Sequence, residues 1–498
     1  MSLEEKESSP IGEAIVKSLL SLDSLKEASQ IFISSLEEEA KLARQSFREE
    51  ADPFSEEVII QDVDGEDKKR IVFNVPVSHR RKLLDKHNRF KRLIHAKDII
   101  PRNFLIAYVS EFDYFVGALL KNIYMLKPDL LNQSDRTFNF KDLSKFSSLD
   151  DVREEVIEKD IEQILRSSHI DQFKAIANKV DIETLTKFDN WSNFIEITER
   201  RNLFVHADGV ISTQYQKVCK TVNINIDNNQ IGTKLDCSKE YLDQTYEIMY
   251  EVIVKLGQTI WRKVFGKSSK NKELADTYLI HLLFELLCNE QYKLAVNIGE
   301  FAIEQRSISN DFRKRMMLIN LCLAYKYSNE IDKCNKLLDS YDWSSVQDVF
   351  QLALVCIKDE HEAACRLIKS LINSKSELVT ESALHSWPLF KVLKEQQSFK
   401  EMYEELFQAS FNDVSIIDES ELREEMSHAN LEVTETEVLV PQGLPEGESL
   451  LDTENGENHA NLEVTEIEVL VPQGLPEGES LLDKKNGENH ANLENLDK

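Results

Sequence analysis

Apolar residues recur at three- and four-residue spacing along most of the chain, the period of an amphipathic helix, and residues 1–418 hold only 8 Gly and 6 Pro. The pattern predicts an all-α body. One stretch breaks the period. Val58-Ile59-Ile60 and Ile71-Val72-Phe73 flank Asp64-Gly65 and a charged run, which reads as a small hairpin among N-terminal helices over residues 1–77. Helices are then expected at about 79–97 and, after Pro101, at 103–124, followed by 152–167, 191–207 and 239–265, a helical domain over 78–268.

From 269 to 412 the texture changes to short paired helices, expected at 278–287, 292–303, 316–327, 331–338, 350–357 and 363–372. Asn289, Asn329 and Asp359 sit at the turns. Their spacing falls within the range of helix-pair repeats. The region resembles a degenerate tetratricopeptide array, with an ordinary helical bundle as the alternative.

Residues 413–498 form a different object. Residues 429–459 recur as 460–490 with only Thr436/Ile467, Thr453/Lys484 and Glu454/Lys485 differing, and a third copy begins at Ala491. The last 80 residues contain no Phe, Trp or Tyr but four Pro and six Gly. Such a composition cannot bury enough surface to offset chain entropy, so an acidic disordered tail is expected, serving as a spacer or as linear docking motifs.

Charge sharpens this division. The chain carries 60 Lys and Arg against 89 Asp and Glu, a net charge of −29, which argues against bulk attraction to nucleic acid or anionic membrane. Residues 419–498 account for 4 basic and 21 acidic residues, whereas 78–270 hold 31 basic and 27 acidic. Within 79–97 eight Lys or Arg meet one Asp, and Leu83, Phe90 and Ile94 form an apolar stripe. That helix is either a solvated face or an RNA-phosphate surface. No secretory signal opens the sequence, and apolar runs such as 352–357 fall far short of the roughly 20 residues that cross a bilayer, so a soluble, cytoplasmic protein without membrane contact is expected.

The seven Cys form no Cys-x-x-Cys pair and read as buried core thiols. No phosphate-binding loop, dinucleotide turn, His-Glu-x-x-His helix or nucleophile elbow is present. His361-Glu362-Ala363-Ala364-Cys365 only approaches a zinc helix, so neither a metal nor a cofactor is expected. One string remains: Arg201-Asn202-Leu203-Phe204-Val205-His206, followed by Ala207-Asp208-Gly209. Gly209 reads as a left-handed helix terminator, which places His206 in the last helical turn. Glu199, Asn202 and His206 share one face, with Arg201 about 100° around. By chance Arg-Asn-x3-His should occur only about 0.03 times in such a chain. Arg102-Asn103, lacking the His, reads as ordinary helix-start chemistry, and Tyr215 as a packing residue.

These residues suit RNA cleavage. His206 would move a proton at the 2′- or 5′-oxygen, Arg201 would grip the phosphate and stabilise its extra charge in the transition state, and Asn202 would orient His206 or the phosphate. The attacking oxygen belongs to the substrate, so the product would be a 2′,3′-cyclic phosphate.

The same string, with Glu111, Asp113 and Tyr114 on the apolar helix upstream and Ile231-Gly232 and Tyr241-Leu242 beyond, resembles the HEPN superfamily over about residues 80–265. The resemblance implies a four- or five-helix bundle, commonly a homodimer, with the motif helices facing each other across the twofold axis. Catalytic members are metal-independent endoribonucleases, many of them in bacterial toxin–antitoxin or antiviral systems. Toxins controlled by adenylylation often carry Tyr two residues after the motif His; here Asp208 stands there, so that form of control does not carry over. The expectation is therefore a HEPN-type ribonuclease acting on RNA through Arg201, His206 and Asn202, with a regulator or antitoxin on the C-terminal helical region. The alternative is a noncatalytic HEPN and helical-repeat scaffold that binds RNA or protein.

Overall fold

A computed structural model describes residues 9–61, 67–133, 137–265 and 268–412; the repeat tail and the Asp64-Gly65 turn lie outside the described residues. Sixteen α-helices and one two-stranded sheet are described, an all-α fold.

Helix α1, Pro10–Ala51, opens with Pro at its first turn, where the missing N–H has no helical partner to lose. Strands β1, Ser55–Gln61, and β2, Asp67–Phe73, pair antiparallel with Ser55 opposite Phe73, confirming the expected hairpin. Helix α2, Val77–Leu126, then runs back along α1. Two helices were expected here, broken near Pro101, but α2 is continuous with Pro101 inside it. The proline removes one hydrogen bond at a cost of about 3 kcal/mol. The burial around it supplies compensation, since Pro101, Arg102, Leu105, Tyr108 and Val109 are all in the core. Arg102 is consequently a mid-helix residue and not a helix start.

Beyond the bundle α1 and α2 form a two-helix arm. On α1 Ser29, Ile33, Ala40 and Ala43 are buried and Leu36 and Phe47 half-buried, a spacing of alternating four and three residues. Opposite them Leu83 is buried and Phe90 and Leu93 half-buried. Ile94, expected in the apolar stripe, is 46% exposed, because Leu93 takes the inward position instead.

The bundle is completed by α3, Phe140–Leu143, α4, Leu149–Leu165, α5, His169–Val180, α6, Trp191–His206, α7, Thr213–Thr221, and α8, Lys239–Phe265. Its centre is aromatic: Phe112 of α2 meets Phe173 of α5 and Phe194 of α6 at centroid distances of 6.2 and 4.9 Å. α1 and α8 touch so closely that a Cβ on Gly257 would lie 2.6 Å from Ile15. By length and composition α2 could cross a membrane. Its apolar half is instead core, with Leu105, Val109, Phe112, Val116 and Leu119 fully buried.

The remaining helices come in pairs: α9, Ser269–Cys288, with α10, Tyr292–Ile303; α11, Asp311–Tyr327, with α12, Ile331–Asp339; and α13, Asp348–Ile357, with α14, His361–Asn373. Glu290, Asn329 and Asp359 adopt left-handed backbone, and in each turn the next N–H returns to a carbonyl five residues back, at 2.8, 2.8 and 2.9 Å. Asn289 lies in the first of these turns as expected, and its neighbour Glu290 takes the left-handed backbone. α9 neighbours α11, and α11 neighbours α13, so the pairs stack as an array, closed by α15, Glu381–Ser386, and α16, Gln397–Phe407. One core cluster joins residues from Ile11 to Tyr403, and the expected boundary near 268 coincides with the start of α9 but not with a gap in packing, whereas the arm around residue 77 contributes no residue to that cluster.

Six of the seven Cys are buried as expected, Cys288 being exposed, and all seven are free thiols.

Candidate functional site

α6 carries the motif, and its sequence divides it into three faces. Phe194, Ile195, Ile197 and Leu203 are buried. Glu196 and Arg200 form a second, internal polar face. The Glu196 carboxylate accepts from Arg200 Nε at 2.8 Å and from the hydroxyls of Tyr215 and Tyr241 at 2.5 Å each. Burial and this carboxylate push both tyrosines well above the usual phenol range. Tyr215 is therefore the packing residue its position indicated.

Glu199 and Asn202 lie on a third face, with Arg201 about 100° around from Asn202. Arg201 Nη2 donates to Asp113 Oδ2 of α2 at 2.6 Å, and His169 Nε2 of α5 lies 3.0 Å from Asp113 Oδ1. The Arg201 and Asp113 side chains keep 21% and 27% of their exposure, so the pair sits at the rim of the core with one side toward solvent. Burial pushes the Glu199 carboxyl up, opposed by His169, Asn202 and Arg201. Asn202 Nδ2 donates back to Glu199 Oε1 at 3.4 Å, so in this structure Asn202 orients Glu199 and not His206.

His206 is the last residue of α6 and is exposed. The helix stops where expected: Asp208 and Gly209 take left-handed backbone, and the Gly209 N–H returns to the Leu203 carbonyl at 3.0 Å. Asp208 accepts from Lys234 at 2.5 Å and from Arg102 Nη1 at 3.2 Å. Lys234 chiefly, and Arg102 after it, hold the Asp208 carboxyl below its usual range. Two residues beyond His206, Asp208 thus ties the helix end to Arg102 and Lys234.

Arg201, Asn202 and His206 lie on one helix, with Arg201 on an acid and His206 exposed at the terminus. Sequence reasoning missed His169 and Arg102. His169 carries no local signature, and Arg102 was hidden by the apparent break at Pro101.

The basic helix is largely neutralised. Lys82 and Lys86 pair with Glu50 at 2.8 and 3.0 Å, Arg89 with Glu39 at 2.7 Å and Lys97 with Glu37 at 3.6 Å, all across the α1–α2 arm. Arg80, Lys91 and Arg92 are exposed without an ion pair among the described residues. Among the described residues no group of three His, Cys, Asp or Glu is placed to hold a metal ion.

The fold and site define an all-α protein with a polar cluster at the rim of a helical bundle fused to a helix-pair array. No family model, no curated protein and no solved structure matches the chain.

Proposed function

We propose that the protein is a metal-independent endoribonuclease of HEPN type, acting in the cytoplasm as a bacterial toxin or antiviral effector. The observation that carries this reading is the division of labour along α6: a guanidinium held 2.6 Å from Asp113 and, five residues on, an exposed imidazole at the helix end. In a homodimer two such ends would flank one RNA strand. One His206 takes the 2′-hydroxyl proton as the 2′-oxygen bonds to phosphorus. The other delivers a proton to the 5′-oxygen as its bond to phosphorus breaks, leaving a 2′,3′-cyclic phosphate and a 5′-hydroxyl. Arg201 stabilises the charge on the phosphoryl oxygens. The helix-pair array offers the surface for a regulator or antitoxin.

A second reading is favoured by a specific observation. The Arg201–Asp113–His169 contacts join α2, α5 and α6, which a noncatalytic scaffold would need as much as an enzyme. RNA cleavage in the presence of excess chelator separates the two. The nuclease reading expects cyclic-phosphate ends and a loss of at least about 100-fold in both Arg201→Ala and His206→Ala. Equal cleavage by parent and variants would end it.

A further inference from the structure

The reading above gives His169 no role, yet its side chain is only 6% exposed and it is tied directly to the site. It is the first residue of α5, whose start is fixed by Ser168, the hydroxyl of which accepts the Asp171 N–H at 3.3 Å. The imidazole packs against Phe112 and Phe194 at centroid distances of 6.0 and 5.9 Å, which fixes the ring plane. Its Nε2 faces Asp113 Oδ1 at 3.0 Å. An ionised carboxylate only accepts, so Nε2 carries the proton in this contact.

The two oxygens of Asp113 are therefore divided, Oδ1 to His169 and Oδ2 to Arg201 at 2.6 Å. Rotating the carboxylate breaks both contacts at once. With His169 in place Oδ2 has a fixed position, and the Arg201 guanidinium has a fixed bearing surface. Without the imidazole donor, Oδ1 would seek another partner and Oδ2 would leave its line with Nη2. Among the described residues the buried Arg201 Nε has no hydrogen-bond partner, and the hydrogen bond to Asp113 is the one that directs the guanidinium.

We infer that His169 is a positioning residue for Arg201, acting through Asp113 to set the direction in which the guanidinium faces. Its kinetic consequence rests on the nuclease reading; its geometric consequence does not.

The test compares His169→Leu, which removes the donor, with His169→Gln, which keeps an N–H at similar reach. In RNA cleavage, His169→Leu is expected to lower kcat by up to about 100-fold with KM within about twofold, the signature of a misaligned group that acts in the transition state. His169→Gln is expected to recover most of that loss while melting at a temperature close to that of His169→Leu. Full activity in His169→Leu, or equal impairment of both variants, overturns the inference. Nitrogen-15 spectra of the arginine side chains provide a readout free of catalysis. A guanidinium held by Asp113 gives separate Nη signals that merge when rotation is fast, so the Arg201 signals should merge in His169→Leu and stay apart in His169→Gln. If the parent protein does not cleave RNA, or the His206→Ala variant cleaves it equally, the nuclease reading fails and the spectra still decide. Arg201 signals unchanged in His169→Leu would overturn the inference.

Discussion

A fully buried acid stands where the bundle meets the array, and removing it should be costly. Asp276 of α9 accepts from Arg262 Nη2 of α8 at 2.7 Å and from the Ser309 N–H at 2.6 Å. Asp276 is 0% exposed and the Arg262 side chain 6%, so neither partner can turn to water. Asp276→Ala leaves a buried guanidinium and a backbone N–H without their acceptor. Breaking a buried pair from one side costs about 3–5 kcal/mol, because the remaining charge stays desolvated. Urea unfolding of the full chain, followed by far-ultraviolet circular dichroism, should show that loss, and the array should unfold ahead of the bundle. Arg262→Met should be similarly destabilised. The double variant Asp276→Ala with Arg262→Met should recover much of the deficit, since removing both charges removes both desolvation penalties, giving a coupling energy of about 2 kcal/mol or more. A loss below about 1 kcal/mol in Asp276→Ala, or a double variant equal to the sum of the singles, would refute the reasoning.

Two further outcomes follow from the motif helix. Gly209 has φ +81°, and a Cβ there would lie 3.0 Å from Phe204 and 3.1 Å from the Leu235 carbonyl. Gly209→Ala should therefore cost more than about 1 kcal/mol and raise amide exchange in the last turn of α6; unchanged exchange at Val205 and His206 would contradict this. Burial raises the Glu199 carboxyl above the 4.5 of the free group. The folded state then holds this proton more tightly than the unfolded chain, so the stability it contributes is full below pH 4.5 and is lost as pH rises through the folded value. Glu199→Gln should accordingly be more stable than the parent at pH 7 and equal to it below pH 4.5, as measured by urea titrations across pH; a less stable variant at pH 7 would show that the ionised carboxylate is a net asset.

Much of this architecture was legible in the sequence where local chemistry settles the question. α10 spans the expected residues, α8 likewise, and α6 ends within one residue of its expected end, because turn residues and a break in apolar period mark each terminus. The β-hairpin was visible as two short apolar, largely β-branched runs, Val58-Ile59-Ile60 and Ile71-Val72-Phe73, around a turn signal. Pro101 misled because a local penalty of about 3 kcal/mol is smaller than the burial gained by a continuous helix. α5 was not among the expected helices although its apolar residues Ile170, Phe173, Ile176 and Val180 fall at three- and four-residue spacing. The paired acids of α1 were legible as charges but not as partners of the basic helix, since that pairing depends on how the arm folds back.

The sequence by itself determined the helical class, the succession of short paired helices, the compositional break before the tail and the one string, Arg201 to His206, with chemistry worth testing. These depend on residues a few positions apart, which the geometry of a single helix relates. Only the tertiary structure decided that Asp113 and His169 stand beside Arg201, that Arg102 and Lys234 clamp Asp208 two residues beyond His206, and that four of the eight basic residues of 79–97 are spent on Glu37, Glu39 and Glu50. Those contacts join residues tens of positions apart in sequence, on helices whose apolar faces fix only which side is buried. The polar groups that meet at the rim are set by how those helices pack.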